Sequence, residues 1–210
     1  MREFFIGLLV VLSMILFFEF SGCIRHSVET DKSCRTDIVK QEKKMEIDQK
    51  LFLDVPLNSK APNRCSPPNP GPAWRGVMIR APKRVIFERD KRIGKYGAFA
   101  AIPICGYYFV DVVVDPEAKP MRLVAVDKQT GKIYSGDLVD LEPDIDEPPE
   151  DEEPVGPDKL KGLATGGYFN PNLADFVNLP EAPGIYNVHV EYRNFKSNVV
   201  TIELVEKKSG

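Results

Sequence analysis

Histidine is scarce in this chain, and several common catalytic motifs are missing. The two histidines, His26 and His189, form no cluster with cysteine, and no C-x-x-C pair is present. A structural zinc site is therefore not expected. The chain also has no P-loop, no G-x-G-x-x-G segment and no G-x-S-x-G turn. These absences exclude the nucleotide-binding and serine-hydrolase classes that such motifs mark.

The remaining histidine and glycine features favour structural roles. A Ser/His/Asp arrangement would have to use His189, because His26 lies in a polar N-terminal stretch unsuited to preorganised chemistry. His189 falls on the polar face of a predicted strand, and we expect it to face solvent. The pair Gly166-Gly167 is too short to cradle a phosphate. We expect it to let the chain bend into a strand that begins at Tyr168.

Basic residues form no stripe, whereas acidic residues are concentrated in one segment. The formal net charge is -3, so a nucleic-acid partner is not expected. Residues 137–158 contain eleven acidic residues and no lysine or arginine. Asp144, Asp146 and Glu150 could supply oxygen ligands to Ca²⁺, but the EF-hand spacing is absent. The sequence favours a solvated acidic loop, with a contact to a cationic partner as the alternative, and no cofactor is expected.

The N-terminal sequence predicts export and attachment to a membrane. Residues 4–18 are uncharged and mostly apolar, too short for a spanning helix and typical of a secretory signal. The sequence FSGC at 20–23 resembles the lipobox of bacterial lipoproteins, with Phe20 standing where Leu is usual. That resemblance implies a signal peptide over 1–22 and acylation of Cys23, which would anchor the exported chain. Ordinary cleavage near Gly22 and an uncleaved anchor are the alternatives.

Export to an oxidising compartment predicts one disulfide among the other three cysteines. Cys105 lies in an apolar, strand-like stretch, and Cys65 lies in a proline-rich segment. We expect a Cys65–Cys105 bridge, which would pin the proline-rich segment to the folded body. A Cys34–Cys65 bridge is the alternative.

The exported chain divides by composition into three parts. Residues 23–55 are polar and highly charged, which predicts a flexible tether. Residues 56–73 are rich in proline, which predicts either a semi-rigid spacer or a strap that wraps the surface. Strand patterns begin at Trp74, so we expect a β-sandwich domain over 74–206 that carries the acidic loop at 137–158.

Alternation of apolar and polar residues predicts the strands of this domain. A hairpin is expected near 121–139, with its turn at Lys128–Gly131, and Pro82 is expected to break the first strand. In YYFVDVVVD the outer face would carry Phe109, Asp111, Val113 and Asp115, which indicates a partly covered surface rather than a carboxylate site. In the C-terminal hairpin one buried face is predicted to comprise Tyr186, Val188, Val190, Tyr192, Val200, Ile202 and Leu204.

The sequence LPEAPGIY at 179–186 resembles the tyrosine corner of immunoglobulin and fibronectin type III domains. The resemblance implies that Tyr186 begins strand F and that Ser197–Val205 is strand G. Two family hallmarks are missing, since position 188 is Val instead of Cys and Trp74 precedes the strands. With six to eight predicted strands, we expect an all-β, immunoglobulin-like antiparallel β-sandwich without assigning the chain to a named family.

These features together predict a membrane-tethered, extracytoplasmic lipoprotein facing the periplasm or the cell surface. We expect a non-enzymatic binding or structural module with a protein or glycan partner in the cell envelope. The alternative is an envelope hydrolase, or an accessory subunit of one, with a site built from loops. Catalytic, cofactor and metal residues are not indicated by any motif, and neither is an oligomeric state.

Overall fold

The computed structural model describes residues 49–112, 119–139, 157–160 and 162–208. None of the helices within these ranges is long and apolar enough to cross a membrane. The predicted signal, Cys23, His26 and Cys34 lie outside the described residues. The described elements are β1 Gly76–Arg80, β2 Arg84–Phe87, β3 Cys105–Asp111, β4 Met121–Asp127, β5 Ile133–Leu138, α1 Pro157–Leu160, β6 Ala164–Phe169, α2 Leu173–Phe176, β7 Gly184–Tyr192, β8 Phe195–Lys196 and β9 Val200–Glu206.

These strands form two sheets that pack as a sandwich. The smaller sheet has the order β1-β3-β6, and the larger has the order β2-β9-β7-β4-β5, with β8 also paired to β7. The smaller sheet thus corresponds to strands A, B and E of an immunoglobulin-like sandwich, and β4, β5, β7 and β9 correspond to strands C, C′, F and G. The prediction of an all-β, immunoglobulin-like sandwich is confirmed.

One strand pair, at an edge of the larger sheet, is parallel. Residues Arg84–Phe87 of β2 pair in parallel with Glu203–Glu206 of β9. The break predicted at Pro82 explains this pairing, because proline lacks the N–H needed to continue the ladder of β1. The chain leaves the smaller sheet there and joins the larger one beside its last strand.

The core lies between the sheets and contains residues that the alternation of apolar and polar side chains had predicted. Tyr186, Val188 and Val190 of β7 are buried together with Ile202 and Leu204 of β9. Tyr186 lies near the start of the strand assigned to F, and its ring covers Gly184 and meets that of Tyr134 edge-on at 6.2 Å. Burial of this kind contributes about 25 cal/mol per Å² of apolar surface and is the main favourable term of the fold.

Strand G begins later than predicted. Ser197 follows the register of β8, since its N–H donates to the Val190 carbonyl, but its Oγ accepts from the Val190 N–H. The Asn198 side chain then bridges to the other sheet, accepting from the Ile79 N–H at 2.9 Å and donating to the Ile79 carbonyl at 3.0 Å. Regular pairing of β9 starts only at Val200.

The strand containing Gly166 and Gly167 begins earlier than predicted, at Ala164. Both glycines lie inside β6, opposite Phe109 and Tyr108 of β3. A Cβ atom on Gly166 would lie 2.5 Å from the Phe109 ring and 2.7 Å from the Tyr108 carbonyl oxygen. The glycine is therefore needed for close approach to an aromatic neighbour and not for a bend.

The predicted hairpin at 121–139 is confirmed. Strands β4 and β5 pair antiparallel, from Met121 opposite Leu138 to Val126 opposite Ile133. Gly131 has a positive φ of 72°, and the Asp127 carboxylate accepts from the N–H groups of Gln129 and Thr130. These bonds depress the pKa of Asp127, as expected for a carboxylate that caps a turn.

The Cys65–Cys105 disulfide is present, as predicted. It joins the proline-rich segment to the first residue of β3, with Cα atoms 5.8 Å apart. Both cysteines are fully buried. The bridge therefore fastens a segment without regular structure to the sheet beneath it.

We predict that replacing Cys65 and Cys105 together with alanine lowers the free energy of unfolding by about 3 kcal/mol. The cross-link spans 40 residues, and a loop of that size restricts the unfolded chain by an amount of this order. Urea unfolding of the double variant measures the loss. Cys34→Ser is the control and should leave the midpoint unchanged. A loss below about 1 kcal/mol would contradict a stabilising role for the bridge.

Candidate functional site

A cleft opens between the two sheets on the side where β5 and β6 form their edges. Its volume is about 250 Å³. Apolar and aromatic side chains form most of its wall, and a few polar side chains lie at one end. The lining residues are Asn58, Ser59, Lys60, Tyr108, Met121, Leu138, Val139, Tyr168, Phe169, Asn170, Pro171 and Phe176.

Tyr108 is the aromatic centre of the cleft. It projects from β3 and lies against the rings of Phe169 at 6.4 Å and Tyr192 at 5.5 Å. Burial raises the pKa of Tyr108, while the nearby cations Lys60 and Arg193 act in the opposite direction. The phenol is therefore neutral at physiological pH and can both donate and accept a hydrogen bond.

The polar end of the cleft is built by residues 58–61 of the proline-rich segment, which we term the strap. The Asn58 N–H donates to the Asn170 carbonyl at 2.7 Å, and the Asn170 N–H donates to the Ser59 carbonyl at 2.9 Å. The Asn170 side chain donates to the Ala61 carbonyl at 2.7 Å. The proline-rich segment was predicted to be either a spacer or a strap that wraps the surface. These contacts are those of a strap.

Two further bonds fix the strap against α2. The Asn58 side chain accepts from the Asn172 N–H at 2.9 Å and donates to the Asp175 carboxylate at 2.8 Å. Asn172 in turn accepts from the Ile102 N–H with its side-chain oxygen at 2.7 Å. Because Asn170 and Asn172 are buried, these amides are held rigidly and define the shape of this wall.

His189 does not face solvent as predicted. It is only 6% exposed, although it lies on the outward face of β7, opposite Val124. Burial lowers the pKa of His189, and the Glu191 carboxylate, with an oxygen 3.3 Å from Nε2, opposes that shift. Alternation along a strand gives the direction of a side chain but not what neighbouring strands place beside it, which is why the prediction was wrong. His189 does not line the cleft.

The outer face of the smaller sheet is covered by aromatic rings, as Phe109 had indicated. The Trp74 ring stacks on Tyr107 at 6.1 Å, and Tyr107 meets Tyr168 at 5.0 Å. Asp111 pairs with Arg75 at 2.6 Å, so it is an ion-pair partner rather than half of a carboxylate site. Val113 and Asp115 lie outside the described residues.

The three carboxylates considered as Ca²⁺ ligands, Asp144, Asp146 and Glu150, lie outside the described residues. Of the acidic segment, Asp137 lies in β5 near Arg122, with side-chain atoms 3.9 Å apart, and Asp158 lies in α1. Within the described ranges, no group of three or more His, Cys, Asp or Glu side chains could hold a metal ion.

Two other concavities are less suited to a specific ligand. One, of about 590 Å³, follows the last strand and is lined by residues 203–208 together with the loop before β7. The other, of about 410 Å³, lies between residues 49–57 and β2, and its mostly apolar lining includes Gln49, Asp54 and Arg84. The cleft differs because aromatic rings and fixed amides converge in it, which is the composition of small, selective binding sites.

Few titratable side chains lie in the described lining of the cleft. Its titratable side chains are Lys60, Tyr108 and Tyr168, and no carboxylate or imidazole lies among the described lining residues. Sequence analysis missed the site because its parts come from the strap, β3, β4, β5 and the segment around 168–176. Its single sequence signal is the aromatic pair at 168–169, which periodicity does not separate from core residues.

Searches against protein families, curated proteins and solved structures find no match for this chain.

We predict that His189 makes the protein less stable as pH falls from 7 to 5. The pKa of His189 is lower in the folded protein than in the unfolded chain, so the unfolded chain binds more protons in this range and stability falls, by at most about 1.4 kcal/mol per pH unit. The test compares urea unfolding of the wild type and His189→Gln at pH 7 and pH 5. The variant should lose less stability than the wild type, whereas equal losses would contradict the assignment.

Proposed function

We propose that this chain is a membrane-tethered binding module of the cell envelope, and that the cleft binds a protein or glycan partner. Export is supported by the apolar run at 4–18 and by FSGC at 20–23. Lipid on Cys23 would hold the chain at the membrane, and the charged stretch before residue 56 would let the sandwich reach a partner. The buried Cys65–Cys105 disulfide fits an oxidising compartment.

The cleft is the observation that carries the binding role. Its aromatic rings offer flat apolar surfaces to a side chain or to the apolar face of a sugar. Its amides are fixed by hydrogen bonds to the strap, so they lose little entropy when a partner binds. A rigid, half-apolar cleft of this kind suits recognition without turnover.

We predict that Cys23→Ser releases the protein from the membrane fraction. Without an acyl chain, the exported protein would keep only its weak surface contacts with lipid. Fractionation and incorporation of labelled fatty acid measure the change, and Cys34→Ser serves as the control that should stay attached and labelled. If Cys23→Ser remains in the membrane, residues 4–18 are the anchor and the lipid assignment is wrong.

We predict that Tyr108→Ala removes at least 90% of partner capture, which corresponds to a loss of roughly 1.4 kcal/mol typical of an aromatic contact residue. A photo-crosslinking amino acid at Val139, which is 53% exposed at the rim of the cleft, would mark the partner in intact cells. Tyr96→Ala is the matched control, since Tyr96 is an exposed tyrosine outside the cleft lining. Equal capture by the two alanine variants would rule out the cleft as the binding site.

A further inference from the structure

The outer edge of β6 presents backbone groups that no described strand uses. β6 is the last strand of the order β1-β3-β6. The Val112 N–H donates to the Leu163 carbonyl, and the Ile104 N–H donates to the Pro171 carbonyl, so odd-numbered residues of this stretch bond to β3. By the alternation of an antiparallel ladder, the N–H and C=O groups of Ala164, Gly166 and Tyr168 point away from β3.

The strap already pairs with the next residue of this row. Asn170 exchanges backbone hydrogen bonds with Asn58 and Ser59 on the same edge, and Ser59 and Asn170 form an antiparallel bridge. The strap then leaves the edge of β6, since the Ala61 carbonyl accepts a hydrogen bond from the Asn170 side chain and not from the strand backbone. The edge therefore binds an extended segment at one end and continues unpaired, among the described residues, toward Ala164.

The sequence of β6 lacks the devices that normally protect such an edge. Proteins place charges or proline on exposed edge strands to prevent pairing with another chain. The edge strand β5 carries Asp137, and the edge strand β2 carries Arg84. Strand β6 reads ATGGYF, with neither charge nor proline, and Leu163 just before it is 51% exposed.

The cleft lies where side chains of an added strand would point. Successive side chains of a strand face opposite sides of the sheet, so every second side chain of a segment added to β6 would face the larger sheet. Phe169 and the strap line the cleft on this side. Its volume of about 250 Å³ is below that of sites for drug-sized ligands, and it suits one large apolar side chain.

We propose that the partner is an extended polypeptide segment that adds a strand to β6. It pairs with the backbone of Ala164, Gly166 and Tyr168, continuing the line of the strap, and it places one large apolar side chain in the cleft. A row of backbone donors and acceptors repeating every two residues is matched by another backbone and not by a glycan. This inference rests on the proposed binding role of the cleft and names the class of partner.

The test starts from peptides selected from a random 12-residue display library on the full-length chain in detergent. Hydrogen exchange by NMR is then recorded with a selected peptide. We expect the amides of Ala164, Gly166 and Tyr168 to exchange at least about 10-fold more slowly in the complex, because each gains a backbone hydrogen bond. Tyr108→Ala should weaken binding of the same peptide.

Two matched pairs of variants separate strand addition from binding in the cleft alone. Ala164→Pro removes an outward N–H at the first residue of an edge strand, where proline is tolerated, and should weaken binding about 10-fold. Ala164→Val keeps the N–H and should bind like the wild type. Two N-methylated versions of the peptide, each methylated at every second residue, test the same point without any change to the protein. Methylation of the residues whose N–H groups face β6 should abolish binding, whereas methylation of the other residues should not.

The remaining outcomes are distinct. Peptides that require Tyr108 but bind Ala164→Pro normally and protect none of the three amides would overturn strand addition and leave the cleft as the binding site. Glycan fragments that bind in place of peptides and require Tyr108 would also overturn strand addition and leave the cleft as the binding site. If the three amides exchange more slowly as the protein concentration rises, a second copy of this chain is adding the strand. That result would overturn the proposal of a foreign partner. Failure of peptides and glycans alike to bind would overturn both proposals.

Discussion

The backbone pairing between Asn170 and the strap is the interaction on which the site depends. Residues 58–61 have no regular structure of their own, and ordering each residue costs about 1–2 kcal/mol of backbone entropy. Two backbone hydrogen bonds and the Asn170 side chain offset part of that cost. The Cys65–Cys105 bridge limits the unfolded chain a few residues later, so both ends of the short segment are constrained. Without this attachment, one wall of the cleft would be lost.

Much of the fold follows from local sequence rules. Period two identified the buried face of β7, the turn signal at Lys128–Gly131 identified the β4–β5 hairpin, and Pro82 identified the break between β1 and β2. These features depend on a residue and its near neighbours, which the sequence displays directly. The tyrosine near the start of β7 and the Cys65–Cys105 pair were also identified, because each belongs to a pattern with few alternatives.

The errors arose where distant residues decide the outcome. Gly166 and Gly167 suggested a bend, but Phe109 and Tyr108 on the paired strand explain why side chains are absent there. His189 suggested an exposed residue, but it is buried in the middle of the larger sheet. The cleft could not be predicted for the same reason, since its wall joins residues separated by more than a hundred positions. Sequence patterns show which side chains alternate along one strand, whereas the topology of the fold decides which distant residues meet at a site.

Charge is distributed unequally between the two sides of the sandwich. Around the parallel β2–β9 pair, exposed ion pairs join Arg84 to Glu203, Arg89 to Glu206 and Lys207 to Glu88. Such pairs add little stability individually, and the pKa of Glu88 is lowered chiefly by its hydrogen bond with Lys207. Their larger effect is to surround that edge with solvated charge, which disfavours pairing with another chain.

Strand β6 has the opposite character, and the contrast bears on function. An uncharged edge risks self-association, so a sequence shaped only by stability and solubility would place lysine or proline there, as it places charge on β2. Side-chain size is restricted at Gly166 by Phe109 and less severely at Gly167, whose Cβ would lie 3.3 Å from Tyr108. No such restriction applies to Thr165, which is exposed. Packing therefore does not explain the absence of protection along the whole strand. An edge that must accept a partner strand does explain it, because the groups that invite pairing are the same groups that bind.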